Sequence, residues 1–406
     1  MNLDWKKLAW GGGILAAVLL IALLLRFFLG GTAPQTPDTS GTLPVGQVST
    51  SAGGALTEEP PPLIVTDAPG VAPAVFKIAE GPVVSAVFIQ AGRPTTTIAR
   101  FASAADGHVY DLAIDSPGAV AQTVSNTTIP GIGRAAFRND GRGVLMQFSA
   151  SPLSIVRTVV IQFSASSSGS ATVRFLPDNA QGAVFSPDGA SIAYLKETPN
   201  GGAAGYVARA DGSGERALFS FPLGSILLSW PSPGALLLTT KSATGAPGAA
   251  FSVSASSGTL VPLLFAPGLT TLGDPSFSHF LYQTNAGSGA SSATRTLATS
   301  AERKLSFDPI PEKCAWFSAS TLYCGVPLVR LPTDYLDVWH RGEYSAPDSI
   351  LRYILPSGAA TIVASPGASL GAEVPDIVGI GASPDGKYLF FITKESRTLW
   401  GVRLGR

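Results

Sequence analysis

Gly182-Ala183-Val184-Phe185-Ser186-Pro187-Asp188-Gly189-Ala190-Ser191-Ile192-Ala193-Tyr194-Leu195 opens a unit whose grammar recurs along the chain. Ala183–Phe185 reads as a strand, Ser186–Gly189 as a turn and Ser191–Leu195 as a second strand. Gly205–Arg209 supplies a third strand, Asp211-Gly212-Ser213-Gly214 reverses the chain, and Arg216–Phe219 supplies a fourth. Short apolar runs bounded by Asp-Gly and Pro-Gly signals predict an antiparallel four-stranded meander.

Equivalent first turns lie at Asn139-Asp140-Gly141, Pro231-Ser232-Pro233-Gly234, Ser278-His279, Ser318-Ala319-Ser320 and Ser383-Pro384-Asp385-Gly386. Their spacing is about 41–48 residues, longer before the last, and that period belongs to propellers. An earlier copy uses Val83–Phe88, Thr95–Phe101, Val109–Ala113 and Val120–Val124, making seven. The seventh has three evident strands, the last within Thr398–Val402. Its fourth is expected from Ala74–Ile78, ahead of the first copy, which would join the two ends of the ring and remove an open edge. The expectation is an all-β, seven-bladed β-propeller of four-stranded antiparallel blades spanning residues 74–406.

Composition agrees with that architecture. Charged residues are 13% of the chain, and Gly 45 and Pro 32 suit many short strands joined by tight turns. Lys+Arg and Asp+Glu balance at 27 each, so no basic face for nucleic acid is expected.

Ahead of the ring, Leu8–Leu25 carries no charge, and the apolar run resumes after Arg26 with Phe27-Phe28-Leu29. Residues 8–29 thus match a hydrocarbon core of about 30 Å and predict one transmembrane helix. Lys6 and Lys7 precede it in a short N-terminal stretch (residues 1–7), and beyond Arg26 no Lys or Arg occurs until Lys77. The positive-inside rule then places the N-terminus in the cytoplasm and the remainder outside, at the cell membrane as a single-pass protein. A cleaved signal peptide fits less well, because the apolar run is long and Gly31-Thr32-Ala33 is followed by Pro34. Residues 30–73, rich in Pro, Gly, Ser and Thr, carry no sustained hydrophobic period and read as a disordered linker.

The Phe185-Ser186-Pro187-Asp188-Gly189 and Ala382-Ser383-Pro384-Asp385-Gly386 hairpins resemble those of TolB-type and Trp-Asp-repeat-like propellers. Three further motifs are similar to those of single-pass, membrane-anchored bacterial propeller proteins. They are Asn126-Thr127-Thr128-Ile129-Pro130, the hairpin of Lys313-Cys314-x-Trp316 and Tyr323-Cys324, and Trp339-His340-Arg341-Gly342. The resemblance implies a fold and says little about a ligand. The chain departs from TolB in lacking its additional α/β domain.

Few residues carry a chemical signal. Asp188 and Asp385 sit in turns, where Asp bonds its own backbone and Gly supplies positive φ, so a structural role is expected. Cys314 and Cys324 lie symmetrically about a turn near Ala319, within disulfide range on adjacent strands. Two Cys and three scattered His (His108, His279, His340) give no metal-ligand spacing, and no cofactor motif is present. The one conspicuous insertion, Val326 to Pro347, separates the second and third strands of the sixth copy. It brings Asp334, Tyr335, Asp337, Trp339, His340, Arg341, Glu343 and Tyr344 to the ring face that carries the links between blades, opposite the Pro-Asp-Gly turns. Of these, Asp334, Tyr335, Asp337, Trp339, His340, Arg341 and Tyr344 are the candidate binding loop. The alternative is a loop that packs down on the ring with Trp339 buried.

Two functional classes remain. A rigid ring with few clustered ionisable groups suits a binding or scaffolding module for a protein or glycan at the cell envelope. An enzyme acting on envelope glycans, a hydrolase or lyase, would need several inward carboxylates or an Arg cluster converging on the channel. The first strands read as small and mostly apolar, which favours binding.

Overall fold

The computed structural model describes residues 75–93, 95–149, 155–164 and 171–404. The expected transmembrane segment and linker lie outside the described residues, within which no helix is long and apolar enough to cross a membrane. The described strands form seven four-stranded antiparallel sheets, and each is a blade of one ring. The first strands of the blades are Val83–Ala91, Ile132–Phe137, Gln181–Phe185, Ile226–Ser232, Thr270–Gly273, Cys314–Ser318 and Ile377–Ala382. They stand against one another around the axis, and the strand of blade 7 contacts that of blade 1.

Closure is made by Val75–Ala79. This strand pairs antiparallel with Leu399–Arg403, in the register Val75↔Val402, Phe76↔Gly401 and Lys77↔Trp400. Blade 7 therefore holds three strands from the far end of the ring segment and one from its start. Without that strand, the backbone groups along one side of Leu399–Arg403 would form an open edge. Gly401 allows the approach: a Cβ there would sit 2.4 Å from the Phe76 ring.

The turns behave as their residue types dictate. Asp188 accepts hydrogen bonds from Ser186 Oγ (2.5 Å) and Ala190 N (3.0 Å), and Gly189 takes φ 70°. Asp385 repeats this with Ser383 Oγ at 2.7 Å and Lys387 N at 3.2 Å. In blade 5 the fully buried Asp274 does the same for His279 N (2.7 Å) and Ser276 N (3.2 Å). Asp188 is held below the usual carboxylate range, first by the Ser186 hydroxyl and then by the Ala190 amide. These bonds occupy the side chain locally, as expected of an Asx turn.

Hydrophobic burial lies between blades rather than within them. Phe219 and Leu195 of blade 3 pack with Leu228 and Leu236 of blade 4. Phe88 of blade 1 meets Phe390 of blade 7 edge-on at 5.3 Å, where the ring closes. Cys314 and Cys324, directly paired across the blade 6 hairpin, are joined as a disulfide with Cα atoms 4.1 Å apart.

Deleting Val75–Ala79 should unmask the blade 7 edge. The expected result is association or aggregation on size-exclusion chromatography and a lower, broader melting transition. A monomer with an unchanged transition would mean that this strand does not close the ring.

Candidate functional site

The insertion in blade 6 folds down on the ring face. Asp334 precedes a short helix, α1 (Tyr335–His340), whose Tyr335, Leu336 and Trp339 are buried with Ile310 and Ala346. Three blades hold it. Asp337 Oδ1 accepts Thr244 N from blade 4 at 2.9 Å, and Asn285 Nδ2 of blade 5 donates to Thr333 O at 2.7 Å. Lys394 Nζ of blade 7 donates to Trp339 O at 2.5 Å and to Tyr344 O at 3.3 Å. The segment thus reaches from blade 6 across to blades 4 and 7.

Beneath it lies a charge network that the sequence does not advertise. Lys313 is fully buried, and its Nζ donates to Tyr335 OH (3.0 Å), Asp348 Oδ2 (2.9 Å) and Asp376 Oδ1 (2.5 Å). Trp339 Nε1 donates to the same Asp376 carboxylate at 2.9 Å, and Lys394 Nζ stands 3.8 Å from it. Burial works against the Lys313 charge, but Asp348, Tyr335 and Asp376 outweigh it and raise its pKa. Burial pushes the Asp348 carboxyl up to about 6, against the pull of Lys313. Lys313 Nζ and the Asp376 carboxylate are held within the network, which anchors Tyr335 and Trp339. Asp348 Oδ2 also accepts Ile377 N at 2.8 Å, and Asp348 Oδ1 is buried without a hydrogen-bond partner among the described residues. Of the other candidate residues, Tyr344 packs edge-on against Tyr335 at 5.7 Å. Arg341 is exposed and paired with Glu343 at 2.8 Å, and His340 Nε2 lies 3.3 Å from the Glu312 carboxylate.

The face also carries two cavities, centred on blades 3 and 1 and bounded by blades 4 and 7, which the insertion contacts. A cavity of about 340 Å³ is lined from blades 2, 3 and 4 by residues including Arg134, Gln147, Gln181, Glu197 and Lys241. A second, of about 320 Å³, is lined from blades 7, 1 and 2 by residues including Ser85, Gly133, Arg134, Gly379 and Arg397. Both fall at the lower end of the size range of small-molecule pockets, roughly 300–1,000 Å³.

Arg134 belongs to both cavities. It stands on the first strand of blade 2, where the register shifts between Ile132 and Arg134. Such a bulge re-aims side chains at a barrel or ring mouth. Its side chain is exposed to water yet surrounded by the inner strands, and that enclosure lowers its pKa while Glu312 opposes the shift. No carboxylate lies within ion-pair distance of it among the described residues. Sequence reasoning missed Arg134 because one Arg among small residues has no periodicity. Its only signal was being the one cation in a run of first-strand residues, Ile132-Gly133-Arg134-Ala135-Ala136. Lys313, Asp348 and Asp376 are far apart in sequence and carried no joint signal. Among the described residues, no three His, Cys, Asp or Glu side chains converge to hold a metal ion.

No protein-family model and no curated protein matches the sequence. Solved structures similar to this chain include TolB and other propeller proteins. An oligogalacturonate lyase in complex with manganese superposes with a TM-score of 0.53 at 11% identity, over 81% of this chain and 99% of that one. A puromycin hydrolase matches with a TM-score of 0.49 at 16% identity, over 81% of this chain and 53% of the hydrolase. TolB from Acinetobacter baumannii matches with a TM-score of 0.38 at 12% identity, over 75% of this chain and 61% of TolB. At 11% identity the first superposition bears on the fold alone and leaves the activity open, and the seven blades are read from this chain's own sheets.

Replacing Lys313 with Met should cost about 3–5 kcal/mol of stability in urea unfolding, because it leaves two buried carboxylates facing each other. Asp348→Asn tests the pH dependence. In the unfolded chain Asp348 titrates near the ordinary value of about 3.9, below its folded value. The folded state therefore binds more protons than the unfolded state between about pH 4 and pH 6, and this group's contribution falls as pH rises through that window. Asn has no such proton, so the stability of wild type relative to the variant should decline over the same interval. A flat difference would contradict the raised Asp348.

Proposed function

We propose that this protein is a binding module of the cell envelope. Residues 8–29 anchor it as a single-pass membrane protein with a cytoplasmic N-terminus, and residues 30–73 tether the propeller beyond the bilayer. The charge-free apolar run and the cations that precede it support the placement. The partner, a protein or a glycan, engages the ring mouth beside the blade 6 insertion.

One observation carries this reading: a rigid, polar mouth is left open next to an insertion pinned by three neighbouring blades. Its two cavities are lined by Arg, Lys, Gln and Ser side chains, with Glu197 as the one carboxylate among their lining residues. Glycoside hydrolysis uses two carboxylates flanking the bond, so the lining favours recognition over that chemistry.

The test is site-specific photo-crosslinking in cells expressing the full chain. A photoreactive residue at Gln181 or Lys241, on the mouth, should yield a discrete adduct, and one at Val173, on the outer strand of blade 2, should not. Equal adducts from both positions, or none from the mouth, would refute the assignment. Placement is tested separately with Ser256→Cys, an exposed loop position. A membrane-impermeant maleimide should label it in cells stripped of any outer barrier, and absence of labelling there would overturn the topology.

A further inference from the structure

Arg134 of blade 2 and Arg397 of blade 7 line the same cavity, and no acidic residue is among its lining residues. We propose that they form a clamp for an oxyanion, the carboxylate or phosphate group of a ligand bound at the ring mouth. The proposal rests on the binding-module reading and gives its site a ligand chemistry.

Both guanidiniums are placed by backbone features rather than by chance. Arg397 lies in the turn between the second and third strands of blade 7, at φ 57°, a region that non-glycine residues seldom occupy. Its carbonyl accepts Val83 N of blade 1 at 2.9 Å. Gly81 lets that approach happen, since a Cβ there would sit 1.9 Å from Ser396 O. The turn is therefore locked to blade 1, and the Arg397 side chain is carried to the cavity with it. On blade 2, the bulge before Arg134 turns its side chain into the same space. The first strands of blades 1 and 7 shift register at the same level, between Val83 and Ser85 and between Ile377 and Gly379. The cavity wall also includes Val84, Ser85, Gly133 and Gly379.

Charge supplies the rest of the argument. Two like charges facing one cavity repel, and the repulsion is relieved by an anion between them. Neither guanidinium has a hydrogen-bonding or ion-pair partner for its side chain among the described residues. By contrast, Arg100 is paired with Asp111 and Arg138 with Asp140. Glu312 acts on Arg134 from the other side, but it is not among the cavity's lining residues and is engaged with His340. Planar guanidiniums bind carboxylate and phosphate through paired charge-assisted hydrogen bonds, and a cavity of about 320 Å³ admits a group of that size with its attached ring.

The test uses the purified full-length chain, isothermal titration, and three probes: D-glucuronate, D-glucose 6-phosphate and D-glucose. At least one charged probe should bind about tenfold or more tightly than glucose, and more weakly as salt rises. Preference for glucuronate identifies a carboxylate, and preference for the sugar phosphate identifies a phosphate. Arg134→Gln and Arg397→Gln should each weaken binding by about tenfold or more, with an unchanged melting temperature. Gly133→Leu adds a second arm: a Cβ there meets open space, so the side chain should fill the cavity and abolish binding without unfolding the ring. Equal affinity for glucose, absence of binding by either anion at millimolar concentration, or retained affinity in both Arg variants would overturn the clamp. If the Arg variants still crosslink a partner from Gln181 as wild type does, the clamp falls and the binding module stands. If the anions bind through the arginines but no partner crosslinks, the module falls and the clamp stands.

Discussion

The whole ring depends on one pairing, that of Val75–Ala79 with Leu399–Arg403. Blades of this kind bury their hydrophobic faces against each other, so an open ring exposes two faces at once. In this chain those faces belong to blades 7 and 1, where Phe88, Phe101, Tyr388 and Phe390 meet. Closing the seam by backbone hydrogen bonds between sequence-distant strands makes every other interface simultaneous. The register also sets the position of Arg397 relative to blade 1, because the same seam contains the Val83 N to Arg397 O bond. A functional residue is thereby fixed by the contact that completes the fold.

A second constraint acts on the insertion. A buried lysine between two aspartates stabilises only when its geometry satisfies all three groups, since desolvation of each is costly. Here Tyr335 OH accepts from Lys313 and Trp339 Nε1 donates to Asp376, and both come from the insertion itself. The insertion and the network therefore hold each other in place. The network also joins the 3-10 turn before the first strand of blade 6 (Pro311–Lys313), the start of its third strand and the entry to blade 7, so it stiffens the junction on which α1 rests. The Trp339 and Tyr335 side chains serve as structural plugs, while the exposed Arg341 and His340 remain on the surface around them.

Most of the ring was legible in the sequence because it is written locally. A Ser-Pro-Asp-Gly turn needs an Asp acceptor and a positive-φ Gly at fixed offsets, and both Ser186–Gly189 and Ser383–Gly386 carry them. The cysteine pair was readable for the same reason, since its two members flank a single hairpin. Closure could be inferred from a missing fourth strand and a spare one upstream. The site was not legible. Lys313 and Asp376 are 63 residues apart and meet only through the ring, and Arg134 and Arg397 lie on blades 2 and 7. No local pattern encodes contacts that exist only after closure.

A ring of similar blades also has to break its own symmetry before it can present a specific surface. This chain does so in two places on one face. The blade 6 insertion covers the side toward blades 4, 5 and 7, held by bonds to each. Beside it, an arginine on a first strand and an arginine in a turn line one cavity together with small residues such as Ser85, Gly133 and Gly379. In the remaining blades the first-strand residues are mainly apolar or small, and charged groups sit in ion pairs such as Lys196 with Glu215 of blade 3. The asymmetry therefore directs both shape and charge to one sector of the mouth. A ligand entering there meets positive charge at the boundary of blades 7, 1 and 2, and meets the wall of the insertion elsewhere. Substituting residues on the outer strands leaves that sector unchanged, whereas altering the seam or the buried lysine disturbs the frame that holds it.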